Sequence, residues 1–138
     1  MIWLMILTLA MDLNAIRNEP NPGRRSELAL QYADSAMDNA RDANAAGDVE
    51  KTKAALEQVG EAVDLAYQSL IGSGKDARRD TKHLKQAELK TRGLLRRLDG
   101  LSQLMDVTDR PAADKIHSEV SKVHDELLQG IFSKKKSQ

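Results

Sequence analysis

The sequence predicts an all-α protein folded as an antiparallel up-down four-helix bundle. Four segments of similar length carry apolar residues three or four positions apart, which is the spacing of one helix face. Short stretches of turn-forming residues separate these segments. No segment alternates apolar and polar residues as a half-buried strand does. Because the segments have matched lengths and short connections, we expect neighbouring helices to be antiparallel.

The first two predicted helices form a hairpin. One helix is expected over residues 24–46, with an apolar face of Leu28, Tyr32, Ala36, Ala40 and Ala43. Gly47-Asp48 should end it and start the next, since glycine suits a helix end and aspartate caps a helix start. The next helix is expected over residues 49–71, with Leu56, Val59, Val63, Ala66 and Leu70 on one face. Its solvated face carries Glu57, Glu61 and Asp64.

The last two predicted helices follow the break at residues 72–75. The third helix is expected over residues 81–105, with Leu84, Ala87, Thr91, Leu94, Leu95, Leu98, Leu101 and Met105 directed inward. Asp109-Arg110-Pro111 is typical of a helix start, because proline is tolerated in the first turn. The fourth helix should end near residue 132 and bury Ile116, Val120, Val123, Leu127 and Ile131. We expect residues 133–138 to form a basic, frayed tail.

The first eleven residues, MIWLMILTLAM, are apolar except for Thr8. This run is shorter than the roughly 20 residues that cross a bilayer, and it suits the apolar region of a signal peptide. Cleavage is expected after Ala10, although no basic residue precedes Arg17. We therefore expect a periplasmic or secreted protein, with no transmembrane span in the mature chain and a linker at residues 12–23. In the alternative, an uncleaved leader forms the N-terminal helix of a cytoplasmic protein.

The composition excludes several classes of function. The 138 residues include no cysteine, and 21 Lys and Arg balance 21 Asp and Glu. A disulfide scaffold, a cysteine-ligated metal, a thiol nucleophile and a wholly basic nucleic-acid binder are thereby excluded. The chain also lacks a nucleophile elbow and a phosphate-binding loop. Its low aromatic content and its lack of long loops argue against a formed pocket, so we expect no catalytic residue and no cofactor. A haem- or metal-binding bundle is a third hypothesis, but His117 and His124 lie about 10.5 Å apart along one helix, too far to share a metal.

Charge is distributed unevenly along the chain. Residues 27–64 hold nine acidic and three basic residues, whereas residues 75–97 hold nine basic and three acidic residues. Asp34, Asp38 and Asp42 repeat every four residues, a spacing that is repulsive within one helix. One interpretation is that the two hairpins attract each other. The alternative is a basic face between Lys75 and Arg97 that binds an anionic polymer or membrane surface, formed by Arg78, Arg79, Lys82, Lys85 and Arg92.

The third predicted helix has an unusual outer face. Opposite its inward residues lie Leu89, Gly93, Gly100 and Leu104. Two glycines within a helix cost roughly 1 kcal/mol each relative to alanine. One interpretation is a helix-contact surface for self-association or for a partner helix. The alternative is that the N-terminal segment packs on this face or that the face has no contact role.

The first hairpin, with Ala-Gly-Asp at its turn, resembles a tetratricopeptide-type hairpin over residues 27–71. Its helices are longer than those of such repeats, and the period of about 34 residues does not recur. The whole chain is similar to small exported all-helical bacterial proteins of unknown function. That resemblance implies export and carries no catalytic residues. We expect a non-catalytic structural or interaction protein of the periplasm or cell envelope, with a protein partner or self-association rather than nucleic acid.

Overall fold

The computed structural model describes residues 12–72 and 81–136, which form a bundle of helices with no strand among them. The helices are α1 (Leu13–Arg17), α2 (Pro22–Ala45), α3 (Val49–Leu70), α4 (Thr81–Leu104) and α5 (Arg110–Lys136). The predicted all-α class and helical bundle are confirmed. The apolar leader at residues 1–11 and two residues of the predicted basic face, Arg78 and Arg79, lie outside the described residues, as does Lys75 at the start of its range.

The starts of α2 and α3 follow from capping residues in the sequence. The Asn21 side chain accepts a hydrogen bond from the backbone N–H of Arg24, and Pro22 occupies the first turn of α2. The Asp48 side chain likewise accepts from the backbone N–H of Lys51 and starts α3. Between the two helices, Gly47 has a φ of +76°, a conformation that favours glycine. The turn predicted at Gly47-Asp48 is therefore present.

Each hairpin pairs two antiparallel helices, and the two hairpins pack side by side. Around the bundle, α2 packs on α3, α3 on α5, α5 on α4 and α4 on α2. The pairs that join the hairpins, α2 with α4 and α3 with α5, run parallel, because their contacts advance in the same order along both helices. These contacts are Glu27–His83 and Asp34–Lys90 for α2 and α4, and Lys53–Asp109 and Gly60–Ile116 for α3 and α5. Helices of the same hairpin are therefore antiparallel, and adjacent helices from different hairpins are parallel.

The core is aliphatic and rich in alanine. The inward residues predicted for α3 are all buried, and those predicted for α4 are buried except for Leu95, which packs against the core. The predicted face of α2 needs a correction, because Leu28 and Tyr32 only flank the core and Ala43 is half-buried. The buried apolar side of α2 consists of Ala29, Leu30, Ala33, Ala36, Met37 and Ala40. Alanines lie around much of α2, so its periodicity alone does not select one side.

Two chain segments differ from their predicted form. The predicted linker at residues 12–23 contains α1, whose Leu13 and Ile16 are buried in the core. Asp12 caps this short helix by accepting a hydrogen bond from the backbone N–H of Ala15. At the other end of the chain, α5 continues to Lys136, so residues 133–136 of the predicted tail are helical. The apolar spacing of α5 ends at Ile131, which is why the sequence placed its end too early.

Candidate functional site

One exposed face of α4 combines the predicted helix-contact surface with Lys82 and Lys85 of the predicted basic face. We call it the outer face of α4 and define it as Lys82, Lys85, Leu89, Gly93, Arg96, Gly100 and Leu104. These residues recur every three or four positions and therefore line one side of the helix. Leu89 is 59% exposed and Leu104 is 75% exposed, and the exposed Lys82, Lys85 and Arg96 lie on either side of Leu89 along the helix. The predicted helix-contact surface and the two lysines of the predicted basic face thus lie on one cationic, partly apolar strip, of which Arg92 is not a part.

The two glycines of the outer face have open space beside them. A Cβ atom added at Gly93 or at Gly100 would meet no heavy atom within 4 Å. By contrast, a Cβ at Gly60 on α3 would lie 3.2 Å from the Cδ1 atom of Ile116, so Gly60 lies at a close contact with α5. Packing among the described residues therefore explains why residue 60 is a glycine, but it does not explain the glycines at positions 93 and 100.

Part of the positive charge of α4 is used within the bundle. The Lys90 Nζ atom lies 2.6 Å from an oxygen of Asp34 on α2, and Arg97 donates a hydrogen bond to Asp38. Two of the three aspartates of the acidic row of α2 thereby face cations of α4, which supports the interpretation that the two hairpins attract each other; Asp42 contacts Arg41 of its own helix. Each exposed ion pair adds at most about 1 kcal/mol to the free energy of unfolding. These pairs therefore fix the register between α2 and α4 more than they stabilise the fold.

A carboxylate that the sequence analysis missed lies between α4 and α5. Glu88 has a side chain only 9% exposed, and its Oε2 atom lies 2.8 Å from Nε2 of His124 on α5. Arg92, one turn later on α4, donates from Nε to the same oxygen at 2.9 Å. The Arg92 and His124 hydrogen bonds hold the pKa of Glu88 below its usual value, against the opposing effect of burial. Arg92, predicted as part of the basic face, is therefore partly neutralised.

The sequence contains a signal for this buried carboxylate. Glu88 lies four residues after the buried Leu84 and three before the buried Thr91, so it falls on the inward side of α4. A charged residue at such a position calls for a partner on a facing helix. The sequence does not show that this partner is His124, because that requires knowing how α4 and α5 are aligned along their lengths.

The other two histidines also contact carboxylates on facing helices. Nε2 of His83 lies 2.8 Å from Oε1 of Glu27, and this hydrogen bond is the largest cause of a lowered pKa at Glu27. His117 lies 3.4 Å from Asp99 in a more exposed position. The two histidines of α5 thus contact different carboxylates of α4. Within residues 12–72 and 81–136, no group of three or more His, Cys, Asp or Glu side chains is placed to hold a metal ion.

A groove beside Leu89 adds a concave surface to the outer face. It lies between α2 and α4, has a volume of about 440 Å³, and is lined by Leu30, Gln86 and Leu89 among others. An exposed leucine at the margin of a groove can pack against a side chain of another molecule. The outer face therefore has both a projecting apolar residue and an adjacent recess.

Comparison with protein-family models, with curated proteins and with solved structures found no match to this chain. In the parts of the chain that the structure describes, no helix has the length and apolar character that a bilayer crossing requires.

Proposed function

We propose that this protein is a non-catalytic interaction protein that binds another protein surface through the outer face of α4. The observation that carries the proposal is the open strip of Leu89, Gly93, Gly100 and Leu104 on a helix whose other side is well packed. Exposed single leucines are ordinary on protein surfaces. Two leucines aligned with two unobstructed glycines are a stronger indication, because glycines let another backbone come close.

The energetic cost of the glycines supports a contact role. Each glycine within a helix costs roughly 1 kcal/mol relative to alanine. No packing contact of Gly93 or Gly100 with a described residue of this chain offsets that cost. An intermolecular contact at the outer face would offset it, since a second helix can pack closely only where side chains are small.

The proposed site of action is the periplasm or cell envelope. The support is the apolar run at residues 1–11, whose length suits a signal peptide. Export would remove most nucleic-acid partners from reach and leave envelope proteins as the candidates.

An anionic polymer or membrane surface is the second candidate partner. Lys82, Lys85 and Arg96 are exposed and support it. Lys90 and Arg97 weaken it, because both contact the acidic side chains of α2. The apolar residues of the strip favour a protein partner over a purely electrostatic one.

Site-specific photocrosslinking in the native host tests the proposal. We expect a benzoylphenylalanine placed at Leu104 to give a discrete protein adduct, because its side chain would lie within the contact. The same amino acid at Gln58, which is exposed on α3 away from the outer face of α4, is the matched control and should give none. The intact mass of the purified protein shows in the same experiment whether the first ten residues have been removed.

Two results would overturn the contact role. One is the absence of a protein adduct from Leu104 in cells that make the protein at its normal level. The other is an identical set of adducts from positions 58 and 104, which would indicate collisions rather than a specific contact.

A further inference from the structure

We propose that the partner of the outer face of α4 is a second copy of this chain, which receives the face in the groove between its α3 and α5. This inference rests on the proposed contact role of the outer face. It adds the identity of the partner and the surface that the partner contributes.

The α3/α5 groove has an apolar floor and an acidic wall. Its volume is about 620 Å³, and Val63, Ile116 and Val123 form the floor. Exposed side chains of α3 form one wall, and they are all acidic: Glu57, Glu61 and Asp64. Such a groove suits a helix that presents apolar side chains flanked by positive charge, which is the chemistry of the outer face of α4.

The other wall leaves the groove acidic overall. Glu119 and Glu126 of α5 alternate with Lys115 and Lys122 along this wall. The groove therefore carries five acidic and two basic side chains, a net charge of −3. The outer face offers the positive charges of Lys82, Lys85 and Arg96. Opposite charges of similar size favour encounter and fix the register of a contact between two copies.

The strip is long enough to fill the groove. The residues of α3 that line the groove run from Glu57 to Tyr67, which is ten residues of helix or about 15 Å. The open strip from Leu89 to Leu104 spans fifteen residues, or about 22 Å, so the groove receives about two thirds of it and the rest lies against the second copy beyond the end of the groove. Leu89 can pack on the groove floor, and Gly93 and Gly100 let the α4 backbone approach the walls. The strip therefore matches the groove in charge and fills its length.

The contact is head-to-tail, because the two surfaces differ and lie on different sides of the bundle. The groove lies between α3 and α5, whereas α4 packs on the other side of α5 and on α2. A contact between unlike surfaces leaves one of each free at the ends of a dimer. We therefore expect growth beyond the dimer as the protein concentration rises.

Charge reversal with complementation tests this inference by sedimentation velocity at low salt. The groove variant carries Glu57→Lys and Glu61→Lys, and the face variant carries Lys85→Glu and Arg96→Glu. All four positions are exposed, so both variants should keep the wild-type circular dichroism spectrum. We expect the wild type to associate, and each variant alone to associate about tenfold or more weakly, since like charges then face each other.

Mixing the two variants provides the decisive comparison. An equimolar mixture should recover association, because the unaltered face of the groove variant meets the unaltered groove of the face variant. The control variant, Asp42→Lys with Asp125→Lys, has the same change in charge as the groove variant but alters exposed residues outside the groove, and it should associate like wild type.

A wild type that stays monomeric at low salt, single variants that associate like wild type, or a mixture that stays dissociated would each overturn the self-contact. The photocrosslinking result separates this failure from a failure of the proposed function. An adduct at Leu104 with a mass other than a multiple of this chain would keep the contact role and reject self-association.

Discussion

Replacing Leu98 with alanine is expected to lower the free energy of unfolding by about 2–5 kcal/mol. Leu98 is fully buried on the inward side of α4. Alanine would remove three carbon atoms from the core and leave a cavity that the surrounding helices can close only in part. Denaturant unfolding followed by helical circular dichroism measures the loss. The experiment belongs at low protein concentration, where association does not add to stability.

Leu104 on the same helix is the matched control for Leu98. Its side chain is 75% exposed, so Leu104→Ala should change the free energy of unfolding by no more than about 0.5 kcal/mol. Equal losses from the two substitutions would show that α4 does not pack with the described side inward. That result would also remove the basis for an outer face.

The second large effect is expected at Glu88. Glu88→Gln should cost about 1–3 kcal/mol, because it removes the charge that accepts hydrogen bonds from Arg92 and contacts His124 in a nearly buried position. Asp99→Asn is the matched control. Asp99 also contacts a histidine of α5 from α4, but its side chain is 69% exposed, and its loss should cost no more than about 0.5 kcal/mol.

The pH dependence gives an independent reading of the same contact. The pKa of Glu88 is lowered in the folded protein from its usual value near 4.5. Its contribution to stability is therefore complete above that value and is lost as the pH falls through the lower folded value. The difference in the free energy of unfolding between wild type and Glu88→Gln should shrink as the solution is acidified below about pH 4. A constant difference down to pH 2 would show that the Glu88 charge is not responsible.

The sequence predicted those parts of the fold that depend on local spacing. The stripe from Leu56 to Leu70 has a single narrow face, and the Gly47-Asp48 turn has a chemical signature at each position, so both were predicted correctly. The many alanines of α2 left it ambiguous which side of the helix is buried. The buried side includes Leu30 and Met37 rather than Leu28. Local patterns determine a helix, but its orientation depends on neighbours when several sides are apolar.

The features that depend on long-range arrangement could not be predicted in this way. The opposed charges of the two hairpins indicated attraction, but they did not show that α2 and α4 lie side by side in parallel. The same holds for the Glu88–His124 contact and for the α3/α5 groove, since each needs the register of two helices. The outer face was different, because Leu89, Gly93, Gly100 and Leu104 share one helix and their common side follows from spacing alone.

The double variant Gly93→Ala, Gly100→Ala tests the central claim most directly, namely that the outer face of α4 is kept open for contact at the expense of helix stability. Each added methyl group enters open space and favours the helix, so the free energy of unfolding should rise by about 1–2 kcal/mol. The same methyl groups should obstruct close approach, and the Leu104 photocrosslink should weaken or disappear. A variant that is more stable and still gives the full adduct would contradict the account.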